Sequence, residues 1–476
     1  MIFYTLFLSS VILVTTYLHV VINLFIVPEP YMDEIFHVPQ ALAYCDGNLT
    51  QWDPKITTLP GLYLLSAGVL NVAEKLGGPD MSCSVSNLRY INVILNWLNL
   101  VVLYKINGIR LKNESEANRI LSTLSLGLTP LLFFFSFLYY TDPASTLAVL
   151  LMHYAFLKER YVLSPLLGIV AICMRQTNIV WLIWHGCNIL WQSSEDVLTK
   201  LLQPAAPTAA KKNKKESRSK KAGKNQKEVQ EKYNPGLSRL NFKELRSVWP
   251  VLVKKVVPKS FMYAIVFGLF VAFVFLNGGV VVGDKEAHKP SINLPQLFYF
   301  TLFAMIFGFA TVTSEAGNTI EIIKKNKFTY AFWVVVGLIV VYFNTTAHPY
   351  LLADNRHYTF YVWKRLYETR PILKYILVPV YIGFGVFVTA NMNLHPSLIF
   401  TFIMVVAFNL VPQKLLEFRY FLLPYLMLRL HMKPTPSHIL AIELIWAVII
   451  NWFTIQKYMY SPFMWSQSSE VQRFMW

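Results

Sequence analysis

The fold is decided near the N-terminus, where a long apolar segment gives way to a polar one. Ile2–Val27 reads IFYTLFLSSVILVTTYLHVVINLFIV, and Pro30–Gly61 reads PYMDEIFHVPQALAYCDGNLTQWDPKITTLPG. The first segment has the roughly 20 apolar residues that cross a bilayer, and it lacks the basic start and cleavage site of a removed signal peptide. A retained first helix therefore delivers a polar loop to the membrane surface. That loop is rich in titratable side chains: Asp33, Glu34, His37, Asp46, Asp53 and Lys55.

The rest of the chain is also typical of a membrane protein. Of its 476 residues, 55% are hydrophobic and only 14% are charged, whereas soluble domains carry about 25% charged residues. Successive apolar runs predict an all-α polytopic membrane protein with about 12–13 transmembrane helices. The formal net charge is +17, but the Lys and Arg residues lie mainly in loops between apolar runs. The positive-inside rule explains that pattern better than nucleic-acid binding does.

The basic loops also predict sidedness. If Lys105–Arg119 and Lys158–Arg160 are cytosolic, the helix between residues 88 and 104 must run from lumen to cytosol. Residues 28–87 then form a lumenal first loop. Within it, Leu59–Leu76 becomes an interfacial helix that rests on the bilayer without crossing it.

Two further segments complete the predicted organisation. Residues 203–258 are basic and hydrophilic, and their composition predicts a partly disordered cytosolic loop. Residues 348–371 are predicted to be a second lumenal loop with a polar run, Asp354–His357. Residues 1–476 are therefore interpreted as a single integral membrane domain.

Ionisable side chains at membrane depth are functional candidates, because burying them in the bilayer is costly. Here they gather at the predicted lumenal face from both halves of the chain. A carboxylate can act as a general base toward a hydroxyl, and cations can neutralise a leaving phosphate. Sugar transfer from a lipid phosphate to an alcohol needs both groups. The alternative from another class is a transporter or channel-associated protein whose charges line a pathway.

Several of these residues also have purely structural interpretations. Asp33–Glu34 could cap the helix that follows, and Asp53–Pro54 is typical of a turn. Asp142–Pro143 fits the start of a helix. Arg175 could reach toward the membrane interface, and Glu417 and Arg419 could pair with each other.

Familiar enzyme and metal signatures do not occur in the sequence. There is no Walker, GxGxxG, HExxH or GxSxG motif. The four cysteines form no CxxC pair, so they indicate neither a zinc site nor a thioredoxin-like centre. No metal site and no cofactor are predicted.

Five long motifs nevertheless resemble a known family. They are YMDEIFHVPQA (Tyr31–Ala41), WDPKITTLPGLY (Trp52–Tyr63), MRQTNI (Met174–Ile179), LLADNRHYTFYVWKR (Leu351–Arg365) and PQKLLEFRYFLLPY (Pro412–Tyr425). Together they resemble the endoplasmic-reticulum α-1,2-glucosyltransferases of N-glycan assembly. Those enzymes use dolichyl-phosphate glucose to add the third, terminal glucose to the dolichol-linked oligosaccharide. The resemblance extends to the closing QRFMW.

The resemblance implies a GT-C type glycosyltransferase fold in the endoplasmic-reticulum membrane, with a lumenal active site. The implied donor is dolichyl-phosphate glucose and the implied acceptor is the dolichyl-pyrophosphate oligosaccharide Glc2Man9GlcNAc2-PP-dolichol. Membrane lipids are expected around the chain, and nucleic acid is not. A GT-C mannosyltransferase acting on another lipid-linked acceptor is the alternative within the same architecture.

The resemblance also implies roles for particular residues. A β-linked donor and an α-linked product imply inversion, which needs one base, and Asp33 or Glu34 stands at the expected place. The donor-binding candidates are Arg356, His357, Asp354, Lys285, His288 and Arg419. The candidates for acceptor or sugar contacts are His37, Trp52, Asp53, Lys55, Asp142, Arg175 and Gln176.

Overall fold

Helices make up most of the described chain, and strands are almost absent from it. The computed structural model describes residues 2–202, 242–285, 290–467 and 469–476. His288, a predicted donor-binding residue, and residues 203–241 of the predicted basic loop lie outside these ranges. Helix α1 (Ile2–Val21) continues into a π-helical turn, Ile22–Ile26.

The remaining elements follow in two groups. The N-terminal half contains α2 (Glu34–Cys45), α3 (Gly61–Gly77), α4 (Val85–Arg110), α5 (Glu116–Gly127), α6 (Pro130–Phe135), α7 (Asp142–Leu157), α8 (Leu163–Met174) and α9 (Ile179–Leu202). The C-terminal half contains α10 (Phe242–Asn277), α11 (Pro295–Val312), α12 (Ala316–Lys325), α13 (Lys327–Asn344), α14 (Pro349–Ala353), α15 (Tyr358–Val362), α16 (Leu373–Ile376), α17 (Val378–Ala390), α18 (Pro396–Leu410), α19 (Arg419–Leu430) and α20 (Ser437–Tyr460). A short antiparallel hairpin, β1 (Phe463–Met464) and β2 (Val471–Gln472), follows α20.

Six helices of the described chain are long and apolar enough to cross a membrane. They are Tyr4–Ile26, Trp249–Asn277, Pro295–Val312, Lys327–Asn344, Leu373–Ala390 and Ser437–Tyr460. Two shorter apolar helices are Leu163–Met174 and Pro396–Leu410. The prediction of an all-α polytopic membrane protein is thereby confirmed. The larger count of 12–13 crossings stays a prediction, as do the sidedness and the segment boundaries built on it.

Two of the apolar runs are interrupted in the structure. The run at residues 120–138 is divided into α5 and α6 because Pro130 cannot continue the preceding helix. The run at residues 372–390 is interrupted only at Leu377, between α16 and α17, so that Leu373–Ala390 keeps the length of a membrane span. A helix also occurs where a loop was predicted, because α10 begins at Phe242, inside the predicted hydrophilic loop of residues 203–258.

Buried asparagines hold the chain where the helices break. Asn92 on α4 donates to the main-chain oxygens of Leu138 (2.7 Å) and Tyr140 (2.8 Å), and Asn99 donates to that of Pro143 (3.0 Å). Main-chain groups in a membrane interior must find partners within the protein. Residues 138–143, which run from the α6–α7 connection into the first turn of α7, are therefore fixed against α4. This contact places the start of α7 beside the polar loop after α1.

Candidate active site

A cavity of about 820 Å³ lies where four separate segments meet. Its walls are residues 26–36 after α1, residues 350–359, residues 415–419 before α19, and residues 470–473 of the C-terminal hairpin. Five of the predicted site residues line it: Asp33, Asp354, Arg356, His357 and Arg419. The first loop and the distant 348–371 segment thus meet at one site.

Asp33 presents its carboxylate to this cavity. It stands at the N-cap of α2, but its side chain makes no capping hydrogen bond there, and it remains 44% exposed. Its main-chain N–H donates to Tyr140 Oη at 3.2 Å. The preceding residue, Met32, has a φ of 59°, a left-handed conformation that costs free energy and is frequent at functional sites. The turn therefore aims Asp33 at the cavity rather than at its own helix.

Arg419 is the direct partner of Asp33. Its Nη2 lies 3.1 Å from Asp33 Oδ2, and its Nε contacts Glu417. Although the Asp33 carboxyl is open to the cavity, the surrounding protein atoms displace water from it and act to raise its pKa. Arg419, and to a lesser extent His37 and His357, lower the pKa, and the net pKa falls below its ordinary value. Asp33 is therefore held ionised.

A second carboxylate stands behind Arg419. Asp142, in the first turn of α7, is 4.0 Å from Arg419 and 3.1 Å from Arg175. Arg175 also donates to Thr141 Oγ1 at 2.9 Å. The guanidinium of Arg419 lies over the ring of Tyr140, 4.9 Å from its centroid. Asp142 and Arg175 are thus joined to the site through Arg419, and Glu417 and Arg419 do pair with each other.

Glu34 has a different environment from its neighbour Asp33. Its side chain and that of Arg89 on α4 are both fully buried, with Nε–Oε1 and Nη2–Oε2 distances of 2.8 and 2.5 Å. The carboxylate also accepts from the main-chain N–H groups of Tyr31 (2.9 Å) and Tyr139 (2.5 Å). Four hydrogen bonds saturate this carboxylate. Glu34 ties the first loop to α4 and to the α6–α7 break, and it does not line the cavity.

Arg356 and His357 form the facing wall. Asp354 receives hydrogen bonds from Arg356 Nε (2.9 Å) and Nη2 (2.7 Å), and Gln472 Oε1 accepts from Arg356 Nη1 at 2.9 Å. His357 Nδ1 donates to the main-chain oxygen of Trp476 at 2.6 Å, which leaves Nε2 3.9 Å from Asp354. Both side chains remain about one fifth exposed.

The other predicted residues lie away from the cavity walls. Lys285 donates to the main-chain oxygen of Asn277, and Lys55 is 3.8 Å from Asp284 with 63% of its side chain exposed. Asp53 accepts from the Lys55 main chain at 2.8 Å, as expected for a turn. Gln176 donates to the Thr57 main chain.

His37 and Trp52 both contact Tyr63 behind the cavity wall. His37 Nδ1 is 2.5 Å from Tyr63 Oη, and the Trp52 and Tyr63 ring centroids are 6.1 Å apart. Burial lowers the pKa of His37 to about 4 against the opposing influence of Asp33. His37 is therefore neutral near neutral pH and lies one layer behind Asp33.

Three features of the site escaped the sequence interpretation. Arg89 is a charged residue inside an apolar run, and such a residue is by itself an indication of a buried ion pair or a functional site. Gln472 and Arg473 line the cavity but were not among the predicted site residues, although the resemblance extends over the closing QRFMW. Cys45 and Cys83 form a disulfide with a Cα–Cα distance of 6.4 Å, and both lie in the predicted lumenal loop. Within the described ranges, no three His, Cys, Asp or Glu side chains are grouped as metal ligands.

The fold is that of an all-α polytopic membrane protein, and its cavity combines a carboxylate with cationic side chains, as sugar transfer from a lipid phosphate requires. Residues 27–430 match the DIE2/ALG10 family, and the chain belongs to that family. It is 39% identical over 467 residues to a protein of Rattus norvegicus, covering 94% of this chain and 93% of the relative. A protein of Homo sapiens is 37% identical over 465 residues with the same coverage, and one of Arabidopsis thaliana is 34% identical over 492 residues, covering 95% and 96%.

All three relatives carry the name Dol-P-Glc:Glc(2)Man(9)GlcNAc(2)-PP-Dol alpha-1,2-glucosyltransferase. No solved structure matches the chain. The family resemblance drawn from the sequence motifs is thereby confirmed, and the helical architecture is consistent with the GT-C type that the resemblance implied.

Proposed function

We propose that this protein transfers glucose from dolichyl-phosphate glucose to the terminal glucose of Glc2Man9GlcNAc2-PP-dolichol, forming an α-1,2 linkage. The observation that carries the proposal is the cavity in which the Asp33 carboxylate faces Arg356 and His357. The names of relatives that match over more than nine tenths of the chain specify the same donor and acceptor. A transporter pathway is less well supported, because the charges meet at one cavity and are paired with each other.

In the proposed reaction, Asp33 is the general base. The 2-hydroxyl oxygen of the acceptor glucose attacks C1 of the donor glucose, and its proton passes to the Asp33 carboxylate. The bond between C1 and the phosphate oxygen breaks, and its electron pair leaves on dolichyl phosphate. A structural role is proposed for Glu34, because its carboxylate is fully buried and saturated by Arg89 and two main-chain N–H groups.

In the proposed reaction, the pKa of Asp33 depends on whether the donor is bound. Without donor, Arg419 lowers the Asp33 pKa, which keeps the base ionised but makes it a weak proton acceptor. A donor phosphate placed near Arg419 shares that positive charge. The pKa of Asp33 then rises toward the range of an effective base, so that the base becomes effective when the donor is bound.

Arg356 has the geometry for holding the phosphate. Asp354 occupies the side edge of its guanidinium, formed by Nε and Nη2. Nη1 carries two hydrogens, so it can donate one to Gln472 and present the other beside the second hydrogen of Nη2. These two hydrogens form the end edge, which is the bidentate face that suits a phosphate. His357 Nε2 lies at the same wall. We assign these two residues to the donor phosphate, with Arg419 between phosphate and base.

The active site is proposed to face the lumen of the endoplasmic reticulum. The disulfide between Cys45 and Cys83 links the end of α2 to the start of α4. Disulfides persist in oxidising compartments such as the endoplasmic-reticulum lumen. This bond supports the lumenal position of residues 28–87 independently of the loop charges.

The test is a transfer assay with purified protein in lipid nanodiscs. Dolichyl-phosphate glucose and the acceptor ending in two glucoses should yield a product with one added glucose, whose new linkage is α by NMR. Dolichyl-phosphate mannose and an acceptor ending in one glucose serve as the mismatched donor and acceptor. Transfer of mannose with no transfer of glucose would overturn the assignment, as would a β-linked product.

A further inference from the structure

The C-terminal hairpin, β1 and β2 with the adjoining Trp465, lies against Arg356. Phe463 pairs with Gln472, and Met464 pairs with Val471. This hairpin is separated from Arg356 by more than one hundred residues in sequence, yet it reaches the guanidinium from two directions. None of its residues was among the predicted site residues.

Gln472 is the closest part of the hairpin to Arg356. It is 2% exposed, its Oε1 accepts from Arg356 Nη1 at 2.9 Å, and its Nε2 donates to the Glu470 main-chain oxygen at 3.3 Å. An amide turned the other way would set a donor against the guanidinium and an acceptor against a carbonyl oxygen. Both ends of the amide therefore fix its orientation.

Trp465 covers the face of the same guanidinium. The Arg356 Cζ lies 4.9 Å from the centre of its ring, and the ring itself is fixed because Nε1 donates to Asn355 Oδ1 at 2.7 Å. With Asp354 at the side edge, Arg356 is held by a carboxylate, an amide and an aromatic face. These contacts define both the plane of the guanidinium and its rotation within that plane.

The hairpin is also hydrogen-bonded to the side of the cavity on which Asp33 lies. The main chain of Arg473 exchanges two hydrogen bonds with Tyr31 Oη, at 2.8 and 2.9 Å. Its guanidinium donates to the main-chain oxygens of Ile26, Tyr458 and Met459, which are carbonyls near the ends of the first helical segment and α20. The chain segment that carries Gln472 therefore also contacts the loop that carries Asp33.

From these contacts we infer that Gln472 is a positioning residue that sets the end edge of Arg356 toward the donor phosphate. This inference rests on the proposed function, in which Arg356 binds that phosphate. A neutral amide is suited to this place because it accepts from Nη1 without adding a negative charge beside an anionic ligand. A carboxylate would accept equally well but would repel the phosphate.

The inference is tested by the kinetics of Gln472→Met and Gln472→Glu with dolichyl-phosphate glucose as the varied substrate. Gln472→Met keeps the length of the side chain and removes the acceptor, and it should raise the KM for donor about tenfold, since one hydrogen bond to a charged group is lost. Gln472→Glu should raise the donor KM further because its charge opposes the phosphate. The KM for acceptor should stay within about twofold for both.

The substrate dependence of the two variants separates positioning from a structural role. Gln472→Met loses both hydrogen bonds of the amide, and Gln472→Glu loses the one to the Glu470 main-chain oxygen. If Gln472 only stabilised the hairpin, both variants would therefore change the KM for donor and the KM for acceptor alike. Equal changes in the two KM values would overturn the inference, as would a donor KM for Gln472→Glu that is lower than that for Gln472→Met. Gln456→Met, at an exposed position of α20, is the matched control and should leave both KM values unchanged.

Arg356→Met distinguishes failure of the inference from failure of the proposed function. If Arg356→Met leaves the donor KM unchanged, the phosphate role of Arg356 is wrong and the inference falls with it. If Arg356→Met raises the donor KM but the Gln472 variants do not, only the inference is wrong. The expected result is that Gln472→Met has no further effect in the Arg356→Met background, because the two residues act as one unit.

Discussion

Arg419 lies 3.1 Å from the carboxylate of Asp33, although 386 residues separate them in sequence. The contact joins the start of α19 to the turn after the first membrane helix. Around it, Asp142 and Glu417 share the charge of Arg419 from two other directions. The position of Asp33, the proposed base, thus depends on the packing of the N-terminal and C-terminal halves against each other, and the N-terminal half alone would leave Asp33 without Arg419.

The first prediction concerns the base. Asp33→Asn preserves the size of the side chain but removes its ability to take a proton, so kcat should fall by about 10² to 10⁴-fold. The amount of folded protein should be unchanged, because Asp33 makes no capping hydrogen bond and is partly exposed. Single-turnover glucose transfer and thermal unfolding of the purified variant measure the two quantities.

Asp46→Asn is the matched control for that experiment. Asp46 lies in the same loop, at the exposed end of α2, and it does not line the cavity. Its kcat should remain within about twofold of wild type. Full activity of Asp33→Asn would show that another group removes the proton.

The second prediction is a pH dependence set by Arg419. The base must be ionised, so activity is lost as pH falls through its pKa, and the lowered pKa of Asp33 places that acidic limb below the ordinary carboxyl range. Arg419→Gln removes the largest influence that lowers the pKa and leaves burial, which raises it. The acidic limb of kcat/KM should therefore move to higher pH. Arg419→Lys keeps the charge and should move it less.

An acidic limb that stays in place in Arg419→Gln would contradict this prediction. It would mean that the limb reports a different group. His37 is a candidate for that group because it is close to Asp33 and burial lowers its pKa to about 4. His37→Gln identifies it: the limb should disappear in that variant if His37 is responsible and should remain if Asp33 is.

The sequence predicts the class of fold and five of the charged or polar residues that line the cavity, because both predictions depend on local properties. The length of an apolar run can be read directly from the sequence, and charged residues at membrane depth are so rare that each one is conspicuous. Asp33, Arg356, His357 and Arg419 were selected in this way, together with the resemblance, and the structure brings them to one cavity. The breaks within predicted spans were less clear, because a proline can begin, end or kink a helix.

The choice between Asp33 and Glu34 could not be made from the sequence. The two carboxylates are adjacent, and what separates them is Arg89, which approaches Glu34 from α4. The same limit applies to Lys55 and Lys285, which are charged like the residues of the site but lie away from the cavity walls. Long-range packing decides such cases, and no local pattern reports it.

The third prediction separates the roles of the two acidic neighbours. Glu34→Gln leaves the Arg89 guanidinium buried without its counter-charge, which should destabilise the protein by about 3 to 5 kcal/mol. The properly folded fraction should keep measurable glucose transfer, unlike Asp33→Asn. Thermal unfolding monitored in detergent checks the stability, and activity per folded molecule checks the role.

Glu74→Gln controls for the loss of a carboxylate as such. Glu74 is exposed near the end of α3, and its removal should change stability by less than about 0.5 kcal/mol. A Glu34→Gln protein that is as stable as wild type but inactive would reverse the assignment and make Glu34 the base.

The fourth prediction uses the disulfide to test both stability and sidedness. Cys45 and Cys83 are 38 residues apart, and closing a loop of that length stabilises a folded chain by about 4 kcal/mol in the entropic treatment. The double variant Cys45→Ser with Cys83→Ser should therefore unfold at lower temperature. Because the bond fixes the end of α2, whose first turn follows Asp33, activity should be lost on heating before the rest of the protein unfolds.

Alkylation of denatured membranes shows whether the bond exists in the cell. Cys173 and Cys187 are free, so a maleimide reagent should add two labels without reductant and four after reduction. In the double serine variant, two labels should be added under both conditions, which assigns the difference to this pair. Four labels without prior reduction would mean that residues 28–87 are not held in an oxidising compartment, and the proposed lumenal position of Asp33 would have to be abandoned with them.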